Sequence, residues 1–66
     1  MKVTSEMPKE GQFVAVWGYN DKLWSDTHRW NSNGRLERFH GGEDWHESPF
    51  DADFYDSVQA QYIIKA

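Results

Sequence analysis

A chain of 66 residues with a net charge of −4 and no cysteine has room for one domain, residues 1–66, and no second core. The lack of Cys excludes a disulfide scaffold and a thiolate zinc site, and the negative charge disfavours direct binding to duplex phosphate. Four Trp, three Tyr and four Phe must therefore supply much of the core, because large rings bury more area per residue than aliphatic side chains.

The first half of the chain predicts two strands. Residues 7–12 contain a proline and a glycine and indicate a turn, which leads into a short apolar strand over residues 13–17. Residues 18–22 predict the next turn, because the Asn-Asp pair at its centre tolerates a left-handed backbone. A second strand is then predicted over residues 23–30.

The pattern of this second strand is irregular. With a period of two, Asp26 and His28 share a face with Trp24 and Trp30. Either the two polar residues lie between two rings, or a bulge changes the register midway along the strand.

The Asn-Gly pair at residues 33 and 34 predicts a hairpin with a type I′ turn. The next strand is predicted over residues 35–40, where the alternation of polar and apolar residues is only partial. The Gly-Gly pair at residues 41 and 42 is expected to end it.

The last third of the chain begins with a long irregular loop over residues 43–55, in which residues 51–55 could form one helical turn with an Asp cap. Residues 57–65 alternate in polarity, which favours a final strand over the short helix that Ala and Gln would also allow. The fold is therefore predicted to be mainly β, a small antiparallel sheet or open barrel of four to five short strands with one long acidic loop.

Rings and β-branched residues on the strand patterns predict the core. Its expected members are Phe13, Val14, Val16, Trp30, Val58, Tyr62 and Ile63, with Trp17 and Trp24 as further candidates. A second group of rings lies in the acidic loop, and core formation alone explains those rings less well. They are Trp45, Phe50, Phe54 and Tyr55, and as exposed rings they could supply hot-spot energy for binding.

Residues 7–16, Met-Pro-Lys-Glu-Gly-Gln-Phe-Val-Ala-Val, resemble the opening of a family of small phage and prophage proteins that has no established activity. Its chains share a Pro-x-x-Gly-x-x-Val opening, Trp-bearing middle strands and a closing strand with aromatic and Ile or Leu residues. The later counterparts here are Trp30, Trp45 and residues 58–64. Family members often carry a Trp before the Pro and end in a Pro-rich segment, and this chain has neither. The resemblance implies a small β fold and a phage context.

The acidic and aromatic segment is the predicted functional surface. Residues 43–56 hold six carboxylates and no Lys or Arg, and carboxylates on a rigid frame can imitate a nucleic-acid backbone in a basic groove. We therefore expect a non-enzymatic protein that binds and modulates or inhibits a host protein, with a nucleic-acid-handling enzyme as the leading target class. The predicted contact residues are Glu43, Asp44, Trp45, Glu47, Asp51, Asp53 and Asp56. The competing interpretation is a solvated loop whose charges keep the protein soluble and whose rings pack inward.

The alternative function is a small module that binds single-stranded nucleic acid by stacking bases on aromatic rings beside cations. Its residues would lie between positions 24 and 38. They are Trp24, Arg29, Trp30, Arg35 and Arg38.

Other site chemistry finds little support in the sequence. His28, His40 and His46 match no compact ligand motif, so no metal or cofactor is predicted. Asp26 and His28 could pair on one strand face, but a catalytic site also needs a nucleophile and a pocket, for which so small a core leaves little room.

The N-terminal residues 1–6 lead into no apolar stretch, and the longest apolar run, residues 13–17, is far too short to span a membrane. The sequence therefore predicts a soluble protein of the cytoplasm, the host cytoplasm if it is phage-encoded. Because so short a chain has little net stability, formation of a homodimer or folding against a partner stays open.

Overall fold

The computed structural model describes residues 2–39 and 44–64, which form a six-stranded, wholly antiparallel sheet and one short helix. In chain order the elements are β1 (Lys2–Thr4), β2 (Gln12–Tyr19), β3 (Lys22–Trp30), β4 (Leu36–Phe39), β5 (Trp45–Glu47), α1 (Ala52–Ser57) and β6 (Gln61–Ile64). The strand order is β1-β6-β2-β3-β4-β5. The closing strand β6 thus lies between β1 and β2, which joins the two ends of the described chain within the sheet.

The mainly β, antiparallel fold class is confirmed, but the described chain has six strands where four to five were predicted. The two additional strands are β1 and β5, each of three residues, at opposite edges of the sheet. Strands this short carry no clear period in the sequence. They form because β6 and β4 offer hydrogen-bonding partners.

The β2–β3 hairpin is the longest pairing in the sheet and has a continuous register. Residues are paired one to one from Gln12 with Arg29 to Tyr19 with Lys22. Asn20 and Asp21 both have positive φ, which a two-residue type I′ turn requires. Since no residue is left over, the bulge interpretation of β3 is wrong, and the polar pair in this strand lies between two rings.

The predicted hairpin between β3 and β4 is present, but its turn is not of type I′. The Asn31 carbonyl accepts a hydrogen bond from the Gly34 amide at 3.1 Å, and the Asn31 side chain accepts from the amides of Asn33 and Arg35, each at 2.9 Å. Gly34 has a φ of 75°, whereas Asn33 is not among the non-glycine residues described with positive φ. The Asn31 side chain organises this turn, and of the Asn-Gly pair only Gly34 adopts the left-handed conformation.

The predicted acidic loop contains β5 and α1. Asp51 caps the helix, since its Oδ1 accepts from the Phe54 amide at 3.1 Å, which confirms the predicted helical turn with an Asp cap. The helix continues to Ser57, and a left-handed residue, Gln59 with φ 55°, leads into β6. A closing strand is therefore confirmed but starts later than predicted. Residues 40–43, including the Gly-Gly pair, lie outside the described residues.

The helix packs on one face of the sheet, and the core lies between the two. Its buried apolar members are Phe13, Ala15, Trp17, Leu36, Tyr55, Ala60 and Tyr62. Trp30 and Val58 are partly buried against this cluster, as are Phe50 and Phe54.

The core prediction is confirmed for Phe13, Trp17 and Tyr62 and wrong for Val14, Val16, Ile63 and Trp24. Strand geometry explains the first three errors, because residues alternate between faces and the helix covers only the face of Phe13. Trp24 is on the correct face but lies beside the turn, and it remains 41% exposed.

Candidate functional site

A polar network lies in the core between the helix and the centre of the sheet. The Asp26 backbone carbonyl is 2.9 Å from His28 Nδ1, and the Tyr55 hydroxyl is 2.8 Å from Nε2. The carbonyl can only accept, so Nδ1 carries the proton and Nε2 accepts from the Tyr55 O–H. Arg38, the register partner of His28 in β4, lies 3.7 Å from the Asp26 carboxylate.

Burial controls the protonation of this network. Desolvation lowers the pKa of His28, against the opposing influence of Asp26, and burial raises the pKa of Tyr55. Both groups are therefore neutral at neutral pH, as their hydrogen bond requires. The His28–Tyr55 hydrogen bond therefore joins the sheet to the helix. Because His28 has no solvent-exposed surface, its imidazole is not accessible to a ligand.

The acidic residues of the helix form a separate feature, the helix surface, defined by Asp51, Asp53 and Asp56. All three are exposed, and Asp51 also serves as the helix cap. Tyr55, on the same helix, is completely buried and is in edge-to-face contact with Trp17 at 5.2 Å. The carboxylates thus project from a backbone held by the core.

Neutralisation of charge differs between the sheet and the helix surface. The sheet carries ion pairs that join Arg29 to Glu37, Arg35 to Glu47 and Arg38 to Asp26. None of the ion pairs between described residues includes a carboxylate of the helix surface. The negative charge of that surface is therefore left for solvent or a partner.

Trp45 and Glu47 belong to edge strand β5, on the sheet face that the helix does not cover, which we call the open face. The Trp45 ring meets Phe39 edge to face at 5.5 Å, and the Arg29 guanidinium lies 4.2 Å from its centroid. Asp44 is exposed beside this strand. The structure thus places the predicted contact residues on two surfaces, with Glu43 outside the described residues.

The remaining rings of the acidic segment turn inward. Tyr55 is fully buried, and Phe50 and Phe54 are stacked at 4.1 Å and partly buried against the core. The idea that these three rings are exposed hot spots is therefore wrong. A 3.6-residue period places Tyr55 on the inner side of a helix, but six residues are too few for that period to be visible in the sequence.

The open face carries a feature that the sequence analysis missed, a single row of side chains that crosses all six strands. Each member is the direct register partner of the next, and five of the six are apolar. The row consists of Val3, Ile63, Val14, Thr27, Phe39 and Trp45. Its signal was present in the strand alternation, but the partners of each strand could not be identified without the topology.

Beside the row, charges on the open face balance one another. Arg29 donates to Glu37 at 2.8 Å, and this hydrogen bond lowers the pKa of Glu37. Arg35 lies 3.9 Å from Glu47. The open face is thus apolar with paired charges, whereas the helix surface is uniformly acidic.

A groove of about 440 Å³ lies between the β3–β4 turn and the start of the helix. Trp30, Leu36, Phe50 and Phe54 supply apolar walls, with Arg35, Glu47 and Asp51 at the rim. The groove brings together Glu47 and Asp51, two of the predicted contact residues, which otherwise belong to different surfaces.

The structure separates the side chains proposed for single-stranded nucleic acid. Trp24, Trp30 and Arg38 are on the helix-covered side, whereas Arg29 is on the open face. Arg29 and Arg38 are also paired with carboxylates. The set does not form one basic, aromatic platform.

Among residues 2–39 and 44–64, no group of three or more His, Asp or Glu side chains is placed to hold a metal ion. His28 is buried and His46 is exposed in β5, while His40 lies outside the described residues. Nor does any described helix have the length and apolar character needed to cross a membrane. Comparison of the chain with protein-family models, curated proteins and solved structures gave no match.

Proposed function

We propose that this chain is a non-enzymatic interaction protein that binds a partner with a basic surface through the carboxylates of its helix surface. The observation that carries the proposal is the set of exposed carboxylates at Asp51, Asp53 and Asp56, which no described ion pair neutralises. Under the phage-protein resemblance, the partner is a host protein, and a basic groove that normally holds nucleic acid fits the charge best.

The rigidity of the helix supports this function. Tyr55 is buried between Trp17 and His28, so the carboxylates need little ordering when a partner arrives. Preorganised charge accelerates encounter and selects the partner's register, and its contribution decreases as salt increases. The interaction is therefore expected to be strongly salt-dependent.

The test neutralises the helix surface without breaking the helix. Asn caps a helix as well as Asp does, so the triple variant D51N/D53N/D56N is expected to keep its fold. A matched control with the same charge change is E6Q/E10Q/D21N, at three exposed positions outside the helix. Thermal unfolding monitored by circular dichroism checks that both variants fold.

Each protein is immobilised and exposed to nuclease-treated bacterial lysate at low salt, and bound proteins are eluted with a salt gradient. We expect wild type and the control to retain the same partner, which added nucleic acid displaces, and the triple variant to lose it. Equal retention by the triple variant, with the same elution salt, would rule out the helix surface as the binding site.

A further inference from the structure

We propose that the open face is the contact surface between two copies of this chain, which pack sheet against sheet as a two-fold dimer. The starting observation is the apolar row, which extends from Val3 at one edge strand to Trp45 at the other. The helix closes the opposite face only. Val3 and Phe39 consequently remain 59% and 37% exposed.

The size of the open face suits a small dimer. The six strands contain 31 residues, each of which covers about 3.3 by 4.8 Å of the sheet, so the face measures about 500 Å² and two copies would bury roughly 1,000 Å² in total. That area reaches the lower limit for a specific interface between proteins. A dimer would therefore have to bury the whole open face, and a second copy of this chain presents a sheet of the same size.

Charge favours a second copy as the occupant. The Arg29–Glu37 and Arg35–Glu47 pairs leave little unbalanced charge on the open face. The helix surface, with its unneutralised carboxylates, is on the opposite layer. Two copies that meet by their open faces therefore bring apolar rows together and keep their acidic helices on the two outer sides.

The order of residues along the row is self-complementary. Aligned sheets keep their strand directions within about 30° of each other, which a two-fold axis parallel to the strands satisfies. Such an axis reverses the row, so Val3 faces Trp45 of the second copy and Ile63 faces Phe39 of the second copy. Two of the three aliphatic side chains then meet a large ring, and the third, Val14, meets Thr27 of the second copy beside the axis.

The same axis avoids opposing like charges. Gln12 is the register partner of Arg29 across β2 and β3. Reversal about an axis between these two strands places Gln12 of one copy over Arg29 of the other. A neutral amide therefore faces each guanidinium.

Sedimentation equilibrium over a wide concentration range tests the dimer. We expect wild type to dimerise and Phe39→Glu to weaken the dimer by roughly 100-fold, the loss typical of a hot-spot ring. The matched control is Trp24→Glu, which makes the same charge change at a ring of similar exposure, 41%, on the other side of the sheet. Trp24→Glu and the triple helix-surface variant are expected to dimerise like wild type.

A second variant covers the case in which Phe39→Glu fails to fold. Val3→Glu alters the exposed end of the row in an edge strand and is expected to yield a folded monomer. A wild-type chain that stays monomeric at every concentration would overturn the proposal, as would a Val3→Glu variant that dimerises normally. A monomer that binds single-stranded DNA at low salt and loses this binding in Phe39→Glu would assign the open face to nucleic acid instead.

Because the two proposals use opposite sides of the sheet, their failures are distinguishable. Loss of the dimer in Phe39→Glu leaves the helix surface and its partner intact. Loss of the partner in D51N/D53N/D56N leaves the dimer intact.

Discussion

In strand β2, Phe13, Ala15 and Trp17 are almost completely buried, whereas Val14 and Val16 between them remain partly exposed. The strand is apolar on both sides, so composition does not explain the difference. The helix packs only on the face of the first set. One face of the sheet therefore forms the core, whereas the other stays accessible to solvent or to a second molecule.

The two faces also treat polar groups differently. On the covered face, His28, Tyr55 and Asp26 satisfy one another away from water, and no buried side-chain nitrogen or oxygen of the described residues lacks a hydrogen-bond partner. On the open face, Arg29 and Glu37 pair where water still reaches them. Polar groups on the covered face therefore contribute to the unique position of the helix, whereas those on the open face contribute little to stability.

The largest difference in unfolding free energy between the two faces is expected when one ring is removed from each. Tyr55→Ala should lower the free energy of unfolding by about 3–5 kcal/mol, because it leaves a cavity in the core. Trp45→Ala should cost only about 1–2 kcal/mol, the sum of one ring pair and one cation–π contact.

Urea denaturation at a concentration where the chain is monomeric measures both values. The monomeric condition matters, because the proposed dimer would add to the cost of Trp45→Ala. A cost for Trp45→Ala equal to that of Tyr55→Ala in the monomer would show that the open face also carries the fold.

An intermediate effect is expected from neighbouring residues in one strand. Ala15 has no exposed surface, so Ala15→Val should overpack the core and cost about 1–3 kcal/mol. Val14→Thr changes a half-buried side chain on the open face and should cost less than about 1 kcal/mol. The two denaturation midpoints give the comparison directly, and the reverse order would mean that the faces have been assigned incorrectly.

The smallest effect is expected from pH. Burial lowers the pKa of His28 in the folded chain. At a pH between the lowered and the ordinary pKa, His28 therefore binds a proton in the unfolded chain but not in the folded chain. The stability contributed by neutral His28 is present above its ordinary pKa, near 6.5, and is lost as pH falls from there towards the lowered value. Asp26 and Arg38 face His28 and act in opposite directions on its pKa, with Asp26 favouring the charged form.

Denaturation between pH 7.5 and 5 should therefore show falling stability in wild type and a flatter profile in His28→Gln. A wild-type slope that survives in His28→Gln would contradict the assignment.

Local patterns were enough to predict much of the fold. The antiparallel class, the β2–β3 hairpin, the Asp51 cap and a closing strand all follow from turn residues and alternation over short segments. The edge strands β1 and β5 could not be predicted, since three residues show no period. Their conformation depends on the partner strands beside them.

The candidate site was predictable only in part. The exposed acids at Asp51, Asp53 and Asp56 follow from charge clustering, because carboxylates without cations stay in water. Tyr55 was grouped with exposed rings, although it proved fully buried. A residue's sequence neighbours do not reveal which side of a one-turn helix meets the sheet.

By itself, the sequence determined the ring-based core, the absence of disulfides, the main turns and the acidic character of the last third, since these depend on residue type and near neighbours. Only the tertiary structure decided which face the helix covers. That choice depends on the insertion of β6 between β1 and β2, a contact between the two ends of the chain. The same insertion aligns Val3, Ile63 and Val14 into one row, which is why the open face emerged only from the fold.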